Sequence, residues 1–211
     1  MIQAAVLLQP VPDLAQLSVS RSQEKVFEKG PRQINPADRI ALEAALTLQD
    51  KNQLEVNTLS VSAAEGEKLL RETLALGAKR AVLIHDTGIF FADPFVVARL
   101  LGAAVRRLEA SLVFAGPGQF GARVSEELGW DLHLQVEAVS AEGEKLRVNE
   151  SEAALPAVVC LSGGYSPRMA NPIKIMKAVK AEILRWNLSA LSQADIPTPC
   201  SEIRRTYLPS D

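Results

Sequence analysis

An α/β fold, a parallel twisted sheet with helices on both faces, is predicted for this 211-residue chain by three features. Apolar runs of strand length recur at 4–8, 54–62, 80–86 and 111–116. Stretches with helical apolar spacing and helix-start residues separate them, and the run at 4–8 is continuous, as suits a strand buried on both faces. Parallel strands joined through helices place ligand sites at their carboxyl ends, where the connections fan apart.

Composition bounds the answer further. Hydrophobic residues make up 47% of the chain and aromatic residues 5%, enough for one sizeable core of the Ala/Leu/Val kind. Lys+Arg number 23 against 25 Asp+Glu, so no overall positive field exists to hold a nucleic acid backbone or an anionic membrane. The opening "MIQAAVLLQPVPD" lacks the basic flank of a signal peptide, and no run approaches the roughly 18 apolar residues of a membrane span. A soluble, cytoplasmic protein is expected. Cys160, Cys200, His85 and His133 are far apart, which offers neither a zinc motif nor a disulfide framework.

Taken in order, "AAVLL" at 4–8 reads as a buried strand ending in the Pro-rich turn "QPVPD". "LSVSRSQEKVF" at 17–27 alternates weakly and carries charge, predicting a short exposed hairpin at the sheet edge. In "INPADRIALEAALTLQD", Asn35 is a favoured N-cap, Pro36 suits the first helical position, Asp38 lies in the first turn, and Ile40, Ala41, Ala44, Ala45 and Leu48 share one face. "LEVNTLSVS" is a strand, and "AEGEKLLRETLALGA" is a helix closed near Gly77. "RAVLIHD" is the third strand, "DPFVVARLLGAAVRRLEA" a helix started by Asp93 and Pro94, and "SLVFAG" the fourth strand. A helix follows at 119–129. Beyond it, "LHLQVEAVS", "EKLRVNES" and "PAVVCLSGG" read as strands joined by short turns, with "AEGEK" a hairpin connection, so the sheet is expected to gain antiparallel strands in its C-terminal third. After Trp186 the prolines at 197, 199 and 209 predict an arm, which sets domain limits of 1–185 and 186–211.

The turn "GPGQFG" at 116–121 sits between a strand and a helix, where Gly118 and Gly121 let the backbone approach a ligand and the helix starting near Gln119 points free N–H groups outward. Two readings stand open: an anion site, or glycines that only permit tight packing. The turn lacks the Lys-Ser/Thr ending of a P-loop, and Glu137, at the spacing of a ribose partner, falls in an alternating strand that would turn it to solvent. Nucleophilic catalysis finds no support, because Cys160 lies inside an apolar strand, neither histidine is near it in sequence and no G-x-S-x-G elbow occurs. His85 ends a strand at the ligand rim, either near a nucleotide or simply solvated, and His133 alternates with Leu132 and Leu134 on an exposed face. No catalytic residue and no metal ligand is assigned. In "SPRMANPIKIMKAVKAEI", Ile173 and Met176 are ringed by Arg168, Lys174, Lys177 and Lys180, which reads either as a docking surface for an acidic partner or as a solvated loop entering a short amphipathic helix.

Together, "INPADRIALEAAL", "LSVSAAEGEKLLRETLALGAKRAVLIHD", "SLVFAG" with "GQFG", and "LPAVVCLSGGYSPRMANPIKIMKA" resemble, in order, segments of the electron transfer flavoprotein β subunit, over most of residues 2–183. The resemblance implies an adenine-nucleotide α-hydrolase-like fold and a heterodimer in which an α subunit supplies most of an FAD site. It implies that the β subunit holds AMP, or a second FAD in bifurcating members. A flavin-dependent dehydrogenase delivers the electrons, so no acid, base or nucleophile is required of this chain. By motif, the adenine nucleotide falls near Leu7, Leu8, Asn35, Val61, Ser62, Gly118, Gln119, Phe120 and Gly121, and the dehydrogenase docks near Arg168, Pro172, Ile173, Met176 and Lys177.

Three departures from the family pattern carry expectations. The nucleotide turn is several residues shorter than usual and has Phe120 where Thr is frequent, which predicts weak or absent AMP binding. Pro172 and Ile173 stand where a Leu-Pro anchor is common, so docking through Ile173 is expected. The shortened arm "IPTPCSEIRRTYLPSD" predicts looser subunit association. The alternative to an electron-carrier subunit is a free-standing adenine-nucleotide-binding domain of the stress-protein kind.

Overall fold

A wholly parallel, seven-stranded sheet forms the middle layer of the computed structural model, which describes residues 1–20, 25–28, 30–51, 53–87, 89, 93–142 and 145–191. In chain order the elements are β1 (Ile2–Leu7), β2 (Pro10–Val11), β3 (Leu17–Ser20), β4 (Lys25–Glu28), β5 (Gln33–Ile34), α1 (Pro36–Asp50), β6 (Leu54–Val61) and α2 (Gly66–Leu76). They continue with β7 (Arg80–Ile84), α3 (Pro94–Arg107), β8 (Leu112–Ala115), α4 (Gln119–Leu128), β9 (Asp131–Val136), β10 (Val139–Glu142), β11 (Lys145–Val148) and β12 (Ser151–Ala153). The last are β13 (Ala157–Leu161), α5 (Pro172–Lys180) and β14 (Leu184–Trp186). The sheet order is β14-β7-β6-β1-β8-β13-β9.

Alternation along β1 shows how the layers form. Ala4 and Val6 face a core built with α1 and α2, whereas Ala5 and Leu7 face a second core built with α3 and α4. Both faces of the sheet are therefore dry at its centre, which is why β8 and β13 are apolar throughout. The helices start as their sequences dictate: the Asn35 side chain accepts from the Ala37 amide at 3.1 Å, and buried Asp93 accepts from the amides of Phe95 and Val96. Glycines in left-handed or otherwise positive φ close α2 at Gly77 and α4 at Gly129.

The C-terminal third corrects the expectation that the antiparallel strands extend the main sheet. "LHLQVEAVS" divides, its first part becoming β9, a parallel edge strand beside β13, and its second part β10. Strands β10, β11 and β12 form a separate antiparallel sheet whose Val139, Ala141, Leu146 and Val148 pack on the same core as α1. The break coincides with Gln135 at positive φ and an irregular register between β9 and β13, a kink that redirects the chain. The expected exposed hairpin is likewise a ribbon of its own, β3 with β4, outside the main sheet. Its turn at 21–24 lies outside the described residues, as do the connection at 143–144 and the arm from 192 onward.

Trp186, after which the arm was expected, is the last residue of the edge strand β14, and the Arg107 guanidinium lies over its ring, 4.9 Å from the ring centre. A short 3-10 turn at Ser189–Leu191 then packs back, with Arg107 donating to the Ala190 carbonyl at 2.6 Å. Among the described residues, no helix is long and apolar enough to cross a membrane.

Candidate functional site

At the carboxyl ends of β1, β6 and β8 the connections spread apart around a cavity of about 700 Å³, within the range of small-molecule sites. Eight of the nine positions expected near a nucleotide line it. Leu7 and Leu8 come from the end of β1, Asn35 from the cap of α1, Val61 and Ser62 from the end of β6, and Gly118, Gln119 and Phe120 from the start of α4. Val97 and Leu101 of α3 add apolar wall.

Gly121 is the exception. It is buried in the first turn of α4 against β13 and β8, where a Cβ would collide with the Cys160 sulfur and lie 3.2 Å from the Ala115 Cβ. Of the two readings left open for the turn, packing therefore accounts for this glycine. Gly118 differs: its φ of 136° favours glycine, a Cβ there would meet nothing, and α4 begins without a side-chain cap.

Asp38 is the buried polar group that the sequence reading passed over. Its Oδ2 accepts from the Gln9 amide at 2.8 Å and its Oδ1 from the Gly116 amide at 3.3 Å, so one carboxyl ties the turn after β1 to the turn after β8. Gly116 permits this approach, since a Cβ there would lie 2.6 Å from Oδ1. Burial pushes the Asp38 carboxyl up to about 6, against the two amide bonds that lower it. A signal existed in the spacing, because residues 38, 41, 42 and 45 share a helix face, and the last three are fully apolar and buried.

An adenine nucleoside fits the volume and the apolar walls, but the phosphate finds little. Arg32 is the one basic residue among the described residues lining the cavity, and its guanidinium already bonds Glu28 twice at 3.1 Å. Asp38 and Glu65 add negative charge, and the Gln119 side-chain oxygen accepts from Arg123 one turn along its own helix. What is left for an anion is the uncapped start of α4.

The remaining reactive residues do not converge on this cavity. His85 is tied through Nδ1, 3.2 Å from the Ser62 carbonyl oxygen. His133 was expected on an exposed face but is half-buried with an enclosed Nε2, because β9 joins the central sheet beside β13 rather than standing free. Glu137 is exposed, as expected, but in the connection between β9 and β10 rather than in a strand. Cys160 is 1% exposed, and burial pushes its thiol up to about 11, the wrong direction for a nucleophile. Among the described residues, no group of three or more His, Cys, Asp or Glu is placed to hold a metal ion.

The second candidate surface is α5 and the loop before it. Pro172 opens the helix, Ile173 and Met176 are 64% and 72% exposed, and Lys177 is exposed beside them. Met169, Ile175 and Val179 are exposed as well, so the apolar surface is larger than the sequence reading drew it. Arg168 is the departure, since it does not join the ring of positive charge. Its guanidinium is taken up by Glu43, with contacts from 2.8 to 3.0 Å, and by Asp50 at 2.8 Å.

Comparison with known proteins agrees with this architecture. Residues 25–191 match the electron transfer flavoprotein domain family. The chain is 29% identical over 198 residues to the electron transfer flavoprotein subunit beta of Clostridium acetobutylicum, covering 86% of this chain and 76% of that one. It is 31% identical over 154 residues to the corresponding subunit of Thermoanaerobacterium thermosaccharolyticum, covering 69% and 59% respectively. It is 28% identical over 237 aligned residues to Protein FixA of Azorhizobium caulinodans, covering 97% and 84%. With the family matched over most of its length, the chain belongs to the electron transfer flavoprotein β-subunit family.

Proposed function

We propose that this β subunit works as half of a heterodimeric electron carrier, paired with an α subunit that supplies most of the FAD site. Electrons arrive from a flavin-dependent dehydrogenase and leave to a downstream acceptor. FAD, when bound, supplies the one- and two-electron chemistry. This chain contributes a wall to the complex and a landing surface for the dehydrogenase, and acts without a catalytic acid, base or nucleophile of its own. The observation that carries the reading is the lysine-flanked apolar surface of α5 on a chain that matches the family over residues 25–191. Co-expression with an α subunit tests it: flavin absorbance is expected only in the copurified pair, and a lone chain that binds ATP or AMP tightly without flavin overturns it in favour of the stress-protein alternative.

For the nucleotide cavity we infer weak AMP binding. The walls suit adenosine, while the phosphate has the α4 start and an already engaged Arg32. Nucleotide analysis of the denatured complex is expected to give well under one AMP per heterodimer after dialysis, and a full equivalent refutes the inference. Cytoplasmic residence is part of the same proposal; cell fractionation checks it.

A further inference from the structure

The docking segment has little to hold it in place by burial. From Arg168 to Ala181 only Ala178 is buried, and α5 has nine residues, fewer than a helix needs to be stable by itself in water. Local capping supplies part of the order, since the Asn171 side chain accepts from the Ile173 amide at 2.8 Å. Packing along α2, where Ala178 is buried, and charged groups on α1 and α2 add to it.

At the start of the segment, Glu43 of α1 receives the Arg168 backbone amide at 3.0 Å as well as the guanidinium. At its end, Arg71 of α2 directs one nitrogen, Nη1, at three carbonyls: Ala178 at 2.9 Å, Val179 at 2.7 Å and Ala181 at 2.9 Å. These are carbonyls of the last turn of α5 and the residue that follows, where a cation also meets the negative end of the helix dipole. Arg71 is itself held from the other side, Nη2 donating to Glu67 at 2.7 Å and Nε at 3.2 Å. Glu67 also binds Arg185 of β14, and these two arginines, Arg185 first, hold its carboxyl below the ordinary range.

We infer that Glu43 and Arg71 are positioning residues: they clamp the two ends of residues 168–181 and thereby present Ile173 and Met176 in the pose that the electron-donating dehydrogenase meets. The inference rests on the docking reading proposed above. Pre-organising a surface segment removes an ordering cost from each encounter, so the clamps act on the dehydrogenase KM and leave electron transfer within the formed complex untouched.

The test uses the intact αβ complex carrying Arg71→Gln, Arg71→Lys, Glu43→Gln or Ile173→Asp. Hydrogen exchange and tryptic cleavage at Lys174 and Lys177 report opening of α5. The electron donor is whichever member of a panel of purified flavin dehydrogenases reduces the wild-type complex fastest. Arg71→Gln is expected to speed exchange and cleavage in 172–180 about tenfold and to raise the donor KM by a similar factor at unchanged kcat, with Arg71→Lys in between. Glu43→Gln leaves the guanidinium of Arg168 with Asp50 as its one remaining carboxylate, so its melting curve is read first, and the Arg71 variants decide the matter if it unfolds. Unchanged exchange in Arg71→Gln overturns the inference. So does faster exchange at unchanged KM when Ile173→Asp raises KM, and that outcome leaves the docking reading standing. If no variant, Ile173→Asp included, moves KM, the docking reading has failed and the inference falls with it.

Discussion

Replacing Gly121 by alanine adds one methyl group between α4 and the sheet, at a point with no room for it. The new Cβ would overlap the sulfur of Cys160, which is 1% exposed on β13, and would lie 3.2 Å from the Ala115 Cβ on β8. Only the sulfur has a rotation open to it, and its surroundings are the packed second core. Overpacking of this sort costs about 1–3 kcal/mol, against which the gain in helix propensity from Gly to Ala returns up to about 1 kcal/mol. A net loss of about 1–2 kcal/mol is expected, which lowers Tm by roughly 2–8 °C in a chain of this size. The assay is a double-mutant cycle by thermal and urea unfolding on wild type, Gly121→Ala, Cys160→Ala and the pair. With the sulfur gone, the added methyl should be neutral or stabilising, so the coupling is expected at about 1–3 kcal/mol, the overpacking cost itself. If Gly121→Ala costs nothing, or costs the same in both backgrounds, the packing account of this glycine is refuted and the ligand reading of the whole turn regains ground.

Three further outcomes are expected. Burial raises the Asp38 carboxyl in the folded chain to about 6 from its ordinary 3.8, so its contribution favours the fold at low pH and is lost as pH rises through about 4 to 6; the loss is about 2–3 kcal/mol. Asp38→Asn should remove that component, and urea titrations from pH 4 to 7 that keep the same slope in the variant refute it. Phe120→Thr restores a hydroxyl at the cavity wall beside the uncapped α4 start, and should raise AMP retention about tenfold, read by nucleotide analysis of the denatured complex. Ile173→Ala should raise the dehydrogenase KM severalfold, and because Lys174, Lys177 and Lys180 flank the apolar surface, wild-type KM should also rise with salt. A salt-independent KM removes the lysines from the docking account.

The parallel sheet, the helices on both faces and a ligand rim at the carboxyl ends of the strands were legible in the amino-acid order alone. Strand-length apolar runs, the Asn35-Pro36 and Asp93-Pro94 starts and the glycines at helix ends are local signals, and each is satisfied within a few residues of where it is written. Eight of the nine positions named through the family resemblance line one cavity, since strand ends on a parallel sheet share a rim.

Tertiary contacts decided the rest, because they join residues with no local relation. Arg168 reads as an exposed cation until Glu43, 125 residues earlier, claims it, and Arg71 reads as an ordinary surface arginine until the last turn of α5 arrives above it, 107 residues later. Alternating strands with short turns look alike whether they pair with the central sheet or with one another, and a kink at Gln135 settled that choice for β9 and β10. Asp38 obeys the N-terminal preference of a helix, and only the closing of the turns after β1 and β8 over it made it a buried carboxyl. Periodicity fixes which face of an element turns inward; what it meets there depends on where the chain's distant parts come to lie.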